Sequence, residues 1–225
     1  RQRQMCIRDR FKLEVSDSLF GRHIENKKAG RTGMMISTKK QLKNCLSIEK
    51  NFYVPTSSLS RNIRDILLGG PNVERWKYVK ALRKLEYYYN NRNKNIACAF
   101  MNLYYARRFN KLGFRLGIEL NRGVFDEGLM IYHTSGIVVN GDAKVGKNCT
   151  LHGANVIGNM GNDLKAPIIG DNVRLGAGAK VLGNVYIADD IQIGAGAIVL
   201  HSCYEKGALL VGIPAKVHIR RDNEI

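Results

Sequence analysis

The sequence predicts a mainly β fold: a parallel β-helix preceded by an α-helical N-terminal region. Three observations point to it. Aliphatic residues recur in steps of six through the C-terminal half, at Val139, Val145, Leu151, Ile157, Ile169, Leu175, Val181, Ile187, Ile193 and Val199, with one step of twelve between Ile157 and Ile169. Upstream of Gly113 the apolar residues follow three- and four-residue steps instead. Charge divides at the same place. The chain of 225 residues holds 36 Lys/Arg and 19 Asp/Glu, of which 10 and 11 fall in residues 116–225, leaving residues 1–115 strongly cationic.

Residues 1–34 open on Arg1, show no apolar periodicity and read as a leader or disordered tail, with a start at Met34 or Met35. An α-helical domain is expected over 35–115. Ser60 is a suitable N-cap for a short helix that stops at Gly69-Gly70-Pro71. After Pro71, Trp76, Val79, Leu82, Leu85 and Tyr89 mark one face of an amphipathic helix, which Asn90-Asn91 breaks. A second helix carries Ile96, Phe100, Leu103 and Tyr104 on one side and Arg107, Arg108 and Lys111 near its end, where cations suit the helix dipole. This mixture of aromatic and basic side chains is expected to pack on neighbouring elements or subunits, with peripheral membrane contact through the basic helices as the alternative.

The β-helix is expected over 116–219, followed by a short tail at 220–225. A period of six matches neither a helix face nor an ordinary strand. It fits a solenoid in which each hexapeptide supplies a strand and a turn, three make a coil, and each aliphatic points inward to stack on its equivalents above and below. Small residues after the aliphatics (Gly146, Gly158, Gly170, Gly176, Ala188, Gly194) permit tight turns. Asn148, Asp171, Asn172, Asn184, Asp189 and Asp190 supply turn chemistry. Residues 158–168 break the repeat.

Composition narrows the function. No apolar run approaches the roughly 18–20 residues of a membrane span. The five cysteines are scattered without a CxxC pair, which argues for reduced thiols and a cytoplasmic protein rather than a disulfide framework or a zinc site. The basic N-terminal half carries no RNA- or DNA-binding signature, so no nucleic-acid partner is expected.

The repeats, the helical stretch Trp76-Lys77-Tyr78 through Leu82–Tyr87, the run Gly128–Gly136 and the element Val211-Gly212-Ile213-Pro214-Ala215-Lys216 together resemble the hexapeptide-repeat acyltransferases over residues 36–219. Within them the chain looks like the serine acetyltransferase branch, especially members associated with surface-polysaccharide synthesis. The resemblance implies left-handed coils, a homotrimer with active sites between adjacent β-helices, acetyl-CoA as co-substrate with no permanently bound cofactor, and an extruded loop at 158–168 reaching the site.

It also implies roles for individual residues. His133 matches the catalytic histidine of a His-x-x-Gly element, and an imidazole titrating near working pH suits a base that takes a proton from an attacking hydroxyl. His152 either lines the same cleft or faces solvent. Glu119 is the one acid in the region where relatives carry the orienting aspartate. Ala177 and Gly178, with Ala195 and Gly196, would let the pantetheine arm approach the backbone, and Lys216 would meet phosphate, with Arg220 and Arg221 as further candidates.

The acceptor is read from departures. Serine-acetylating relatives place an aspartate before the catalytic histidine, where this chain has Tyr132, and a second histidine in the extruded loop, where it has Ala166. An aromatic suits stacking on a sugar, so a sugar hydroxyl is the expected acceptor and serine the alternative. A γ-type carbonic anhydrase would need a three-histidine zinc site, which His133, His152 and His201 do not form by spacing, and no metal is expected. A non-catalytic β-solenoid binding module is the remaining reading.

Overall fold

The computed structural model describes residues 35–54, 65, 67–161 and 165–218. The expected leader (with His23), the Ser60 cap, and the tail with Arg220 and Arg221 lie outside the described residues. Among the described residues three long helices come first: α1 (Lys39–Tyr53), α2 (Pro71–Asn90) and α3 (Ile96–Leu116). A capping box opens α1: the Thr38 hydroxyl accepts from the Gln41 N–H at 3.1 Å and the Gln41 side chain accepts from the Thr38 N–H at 3.0 Å. Gly69, at φ +67°, turns the chain where the stop was expected, and Pro71 begins α2. Asn91 caps the end of α2, and Asn95 opens α3 by accepting from the Cys98 N–H at 2.8 Å.

Short strands follow: β1 (Ile118–Glu119), β2 (Met130–Ile131), β3 (Ile137–Val139), β4 (Lys144–Val145), β5 (Thr150–Leu151), β6 (Val156–Gly158) and β7 (Ile168–Ile169). The repeat break separates β6 from β7, and after β7 come β8 (Arg174–Leu175), β9 (Lys180–Leu182), β10 (Tyr186–Ile187), β11 (Gln192–Ile193), β12 (Ile198–Val199), β13 (Leu209–Gly212) and β14 (Ala215–His218). They form three sheets, ordered β1-β3-β6-β9-β12, β10-β7-β4 and β14-β13-β11-β8-β5-β2. Successive hexapeptides visit the three sheets in turn, as a solenoid of three-hexapeptide coils requires. All pairings are parallel except β13 with β14, an antiparallel hairpin that closes the last coil.

Register puts the repeat aliphatics in three inward columns. Val139, Ile157, Val181 and Val199 stack on one wall; Val145, Ile169 and Ile187 on the second; Ile131, Leu151, Leu175, Ile193 and Leu210 on the third. Each is at most 3% exposed, so each contributes about 1.5–3 kcal/mol of burial. At one corner Asn148, Asn172 and Asp190 hold the left-handed conformation (φ 55°, 58° and 61°). Their side chains form a ladder: Asn148 donates to Asn172 at 2.9 Å, Asn172 to Asp190 at 2.8 Å, and Lys206 pairs with Asp190 at 3.1 Å. Asp171 and Asp189 accept backbone N–H groups of Lys147 and Asp171, each at 2.9 Å.

The helices are joined to the first coil by charge. Arg83, 0% exposed, donates to Glu49 at 2.8 and 3.0 Å, to Glu86 at 3.0 Å, and to the carbonyls of Phe125 at 2.9 Å and Asp126 at 2.6 Å. Glu49 also accepts from the N–H groups of Gly128 and Leu129, and Glu86 from that of Gly123. Burial alone would lower the affinity of Arg83 for its proton, but Glu49 and Glu86 reverse this and raise it well above the ordinary range. Burial pushes the Glu86 carboxyl up, opposed by Arg83 and the Gly123 amide.

Tyr105, Phe109 and Leu112 face the chain's own core, whereas Ile96, Phe100, Leu103 and Tyr104 are 89, 68, 68 and 47% exposed. Helix α3 is apolar on two faces, and periodicity alone identified the outward one.

Candidate active site

Because Ile131, Leu151, Leu175, Ile193 and Leu210 are in register, the residues that follow them also align from coil to coil. The first position outward reads Tyr132, His152, Gly176, Gly194, Val211; the second reads His133, Gly153, Ala177, Ala195. Where the next two coils have glycine, the first two carry aromatic rings, and these stack: the Tyr132 and His152 centroids lie 4.5 Å apart at 10°. Backbone bonds fix the spacing, with the Tyr132 N–H on the Leu151 carbonyl at 2.8 Å and the His152 N–H on that of Leu175 at 3.1 Å. The stack sits on the outer surface beside exposed His133, with Tyr132 itself 38% exposed.

The loop bearing His133 is held on both sides. Upstream, the buried Tyr53 hydroxyl of α1 accepts from the Ile131 N–H at 2.8 Å and donates to the Leu129 carbonyl at 3.2 Å, which pins β2 immediately before Tyr132. Downstream, the Ser135 N–H donates to the Leu116 carbonyl at 2.9 Å, and the Ala154 N–H to the Ser135 carbonyl at 3.1 Å. Gly117 caps α3 in the left-handed conformation (φ 64°), and a Cβ there would lie 3.1 Å from Ser135 Cα. Next to His133 in the column, one coil on, lies Gly153 at φ +110°, where a Cβ would come within 3.1 Å of His133 Cβ. Gly153 is fixed by Asn155, 0% exposed, whose Oδ1 accepts from its N–H at 2.9 Å while Nδ2 donates to the Gly176 carbonyl at 2.7 Å.

Partial burial holds the His152 imidazole below its ordinary pKa of 6.5, helped by the neighbouring Arg174 guanidinium and by His133. His152 is therefore neutral at pH 7, able to donate from one ring nitrogen and accept at the other. Tyr53, Asn155 and Arg174 were missed in the sequence. Each acts from a position with no motif, through contacts that exist only after the coils stack.

The other expected residues fall in distinct places. Ala177 and Ala195 are exposed and continue the His133 column upward, joined by the Gly196 N–H on the Ala177 carbonyl at 2.8 Å, with Gly178 and Gly196 at φ +72° and +69°. A side chain at Gly176 would meet the Ala195 backbone nitrogen at 2.6 Å, so coil packing demands glycine there. Lys216 is exposed on β14 opposite Val211, at the far end of the column. At roughly 4.8 Å per coil, the four steps from His133 to the Val211 level span about 19 Å. Glu119 lies on β1 beside Val138 and, among the described residues, makes no hydrogen bond to His133. Ala166 is buried at 8% and packs in the core. Residues 162–164 of the expected loop lie outside the described residues. Among the described residues no group of three His, Cys, Asp or Glu is placed to hold a metal ion.

Residues 166–201 match the bacterial transferase hexapeptide (six repeats) family. Serine acetyltransferase of Staphylococcus xylosus is 39% identical over 77 residues, covering 33% of this chain and 36% of that protein. That of Staphylococcus epidermidis is 36% identical over 86 residues, covering 36% and 40%. The chain thus spans little more than a third of the length of the curated relatives it matches. Soybean serine acetyltransferase complexed with serine shares the fold with a TM-score of 0.62 at 21% identity, over 80% of this chain and 70% of that one. A serine acetyltransferase complexed with CoA gives a TM-score of 0.57 at 20% identity, over 80% and 71%.

Proposed function

We propose that this hexapeptide-repeat protein is an acetyl-CoA-dependent O-acetyltransferase with no permanently bound cofactor, and that its acceptor is the hydroxyl of L-serine. The observation that carries the reading is the column itself: a clamped, exposed histidine at one end of an open strip of small residues, with a lysine at the other. An extended pantetheine arm fits such a strip, its thioester at His133 and its phosphates towards Lys216. His133 takes the proton of the acceptor hydroxyl as the oxygen attacks the thioester carbonyl. The tetrahedral intermediate collapses with loss of the CoA thiolate, which His133 reprotonates, leaving the O-acetyl product and CoA. Neutral His152 hydrogen-bonds the acceptor beside it. The relatives named serine acetyltransferase favour serine. The left-handed winding and the homotrimer implied by the resemblance belong to the same reading, since a second β-helix would give the open strip its opposite wall.

The Tyr132–His152 stack favours a second reading of the acceptor. A flat, exposed aromatic ledge beside the base suits the face of a sugar ring and offers no counter-charge to an α-ammonium.

Thiol release from acetyl-CoA, followed with L-serine and with nucleotide-linked sugars, decides between the two. His133→Ala should lower kcat about 10²–10⁴-fold while leaving the assembly intact by sedimentation velocity. An unchanged rate would remove His133 as base and return the fold to a binding role. Turnover of sugars but not of serine would overturn the serine assignment, and Tyr132→Ala should then raise KM for the sugar.

A further inference from the structure

Helix α3 leaves Ile96, Phe100, Leu103 and Phe114 facing solvent, the first and last at 89 and 95% exposure. Their spacing puts all four within one narrow stripe of the helix. The opposite face, with Tyr105, Phe109 and Leu112, already packs against the chain's own core, so folding of the chain does not use the outer stripe. An exposed apolar stripe of this kind, left unused by the folding of the chain, marks a contact with something else.

Charge says what. From Asn91 to Gly117 the chain holds Arg92, Lys94, Arg107, Arg108, Lys111 and Arg115 and neither Asp nor Glu. Arg107 falls within the apolar stripe, where its aliphatic stem can lie on the ridge while the guanidinium reaches outward. Arg108, Lys111 and Arg115 follow on the flank, where with Lys77 of α2 they line a cleft of about 260 Å³. Glu74 engages Lys77 and Arg115. Arg107, Arg108 and Lys111 make no ion pair among the described residues. Lys80 adds to the crowding: partial burial, then Lys84, Lys50 and Arg108, hold its ammonium below the ordinary range. A twofold pairing of this face on itself would set Arg107, Arg108 and Lys111, which no acid among the described residues pairs, against their own copies. A surface that is both apolar and anionic satisfies the ridge and the cleft together.

We infer that the outer face of α3 docks the protein on an anionic lipid surface, with Phe100, Leu103 and Phe114 at the acyl boundary and phosphate headgroups in the Arg108–Lys111 cleft. No helix among the described residues is long and apolar enough to cross a membrane, so the helix lies in the plane of the interface. This inference is independent of the acetyl acceptor.

The test is flotation of the full-length protein with vesicles of phosphatidylcholine alone and of phosphatidylcholine mixed with phosphatidylglycerol. Binding should require the anionic lipid and weaken strongly from about 0.1 M to 1 M salt, as the Debye length falls from ~10 to ~3 Å. Arg108→Glu with Lys111→Glu should weaken it by about tenfold or more, and so should Phe100→Ser with Phe114→Ser. All four sites are exposed, and unchanged thermal melts verify that the variants fold. Absent or equal partitioning onto the two vesicle types would overturn the inference. So would vesicle binding that survives the double Phe variant. Loss of an oligomer in that variant, with no lipid dependence, would assign the face to a second copy instead.

Discussion

The coils and the helices bury their polar atoms by opposite means. In the coils one corner repeats one device from coil to coil, an Asn or Asp whose side chain bonds to the next coil, as in the Asn148–Asn172–Asp190 ladder. No member is indispensable, because each bond is one of several and lies at the surface. In the helical region a single guanidinium, Arg83, gathers two carboxylates and two carbonyls at 0% exposure. Its partners Glu49 and Glu86 in turn hold the N–H groups of Gly123, Gly128 and Leu129, on the strand approach to His133. Stability is thus distributed in one region and concentrated in the other, and the concentrated part supports the candidate site.

Arg83→Met should break this contrast most forcefully. It leaves two buried carboxylates without their cation, a loss of about 3–5 kcal/mol, read by urea denaturation. Replacing Glu49 and Glu86 together with Arg83 should not restore stability, because the three backbone amides then lose their acceptors. A loss below about 1 kcal/mol for Arg83→Met would mean that the network behaves as a surface pair. Leu175→Ala, in the third inward column, should cost about 3 kcal/mol. Asn172→Gly, which keeps the left-handed conformation of that corner, should cost less than about 1 kcal/mol, since exposed neighbours and water replace its bonds. If Asn172→Gly instead matched Arg83→Met, stability in the coils would be as concentrated as in the helices.

The same contrast explains what could be read in the sequence. The period of six located every inward column, because a solenoid repeats one local environment and the residue choice repeats with it. The Gly69-Gly70-Pro71 stop and the Asn90-Asn91 break were legible because Gly, Pro and Asn act through their own backbone. The Arg83 network was not legible: Glu49 is 34 residues from Arg83, and its role depends on a fold that brings the two together. The same holds at the site. His133 and Tyr132 stood out by motif, whereas Tyr53 and Asn155 act by holding β2 and Gly153 in place and carry no local signature. The burial of Ala166 and the exposure of the outer α3 face could not be read from sequence, because a small apolar residue and an apolar stripe read alike whether buried or exposed.

The smallest expected effect lies in the stack, and it asks whether the site behaves like the coils beneath it. Burial, Arg174 and His133 together hold the folded His152 pKa below its ordinary value of 6.5. The unfolded chain therefore binds a proton at His152 more readily than the folded one. The stability associated with neutral His152 is fully present above about pH 6.5 and is lost as pH falls through the depressed folded value. An NMR titration of the imidazole should show its midpoint below that of an unfolded reference. Arg174→Ala should move the midpoint back up in part, because burial, the larger cause, remains. Tyr132→Ala should move it further, by opening the ring face to water. If neither variant moves the midpoint, the stack does not set the protonation of His152, and the paired rings serve only to pack one coil on the next.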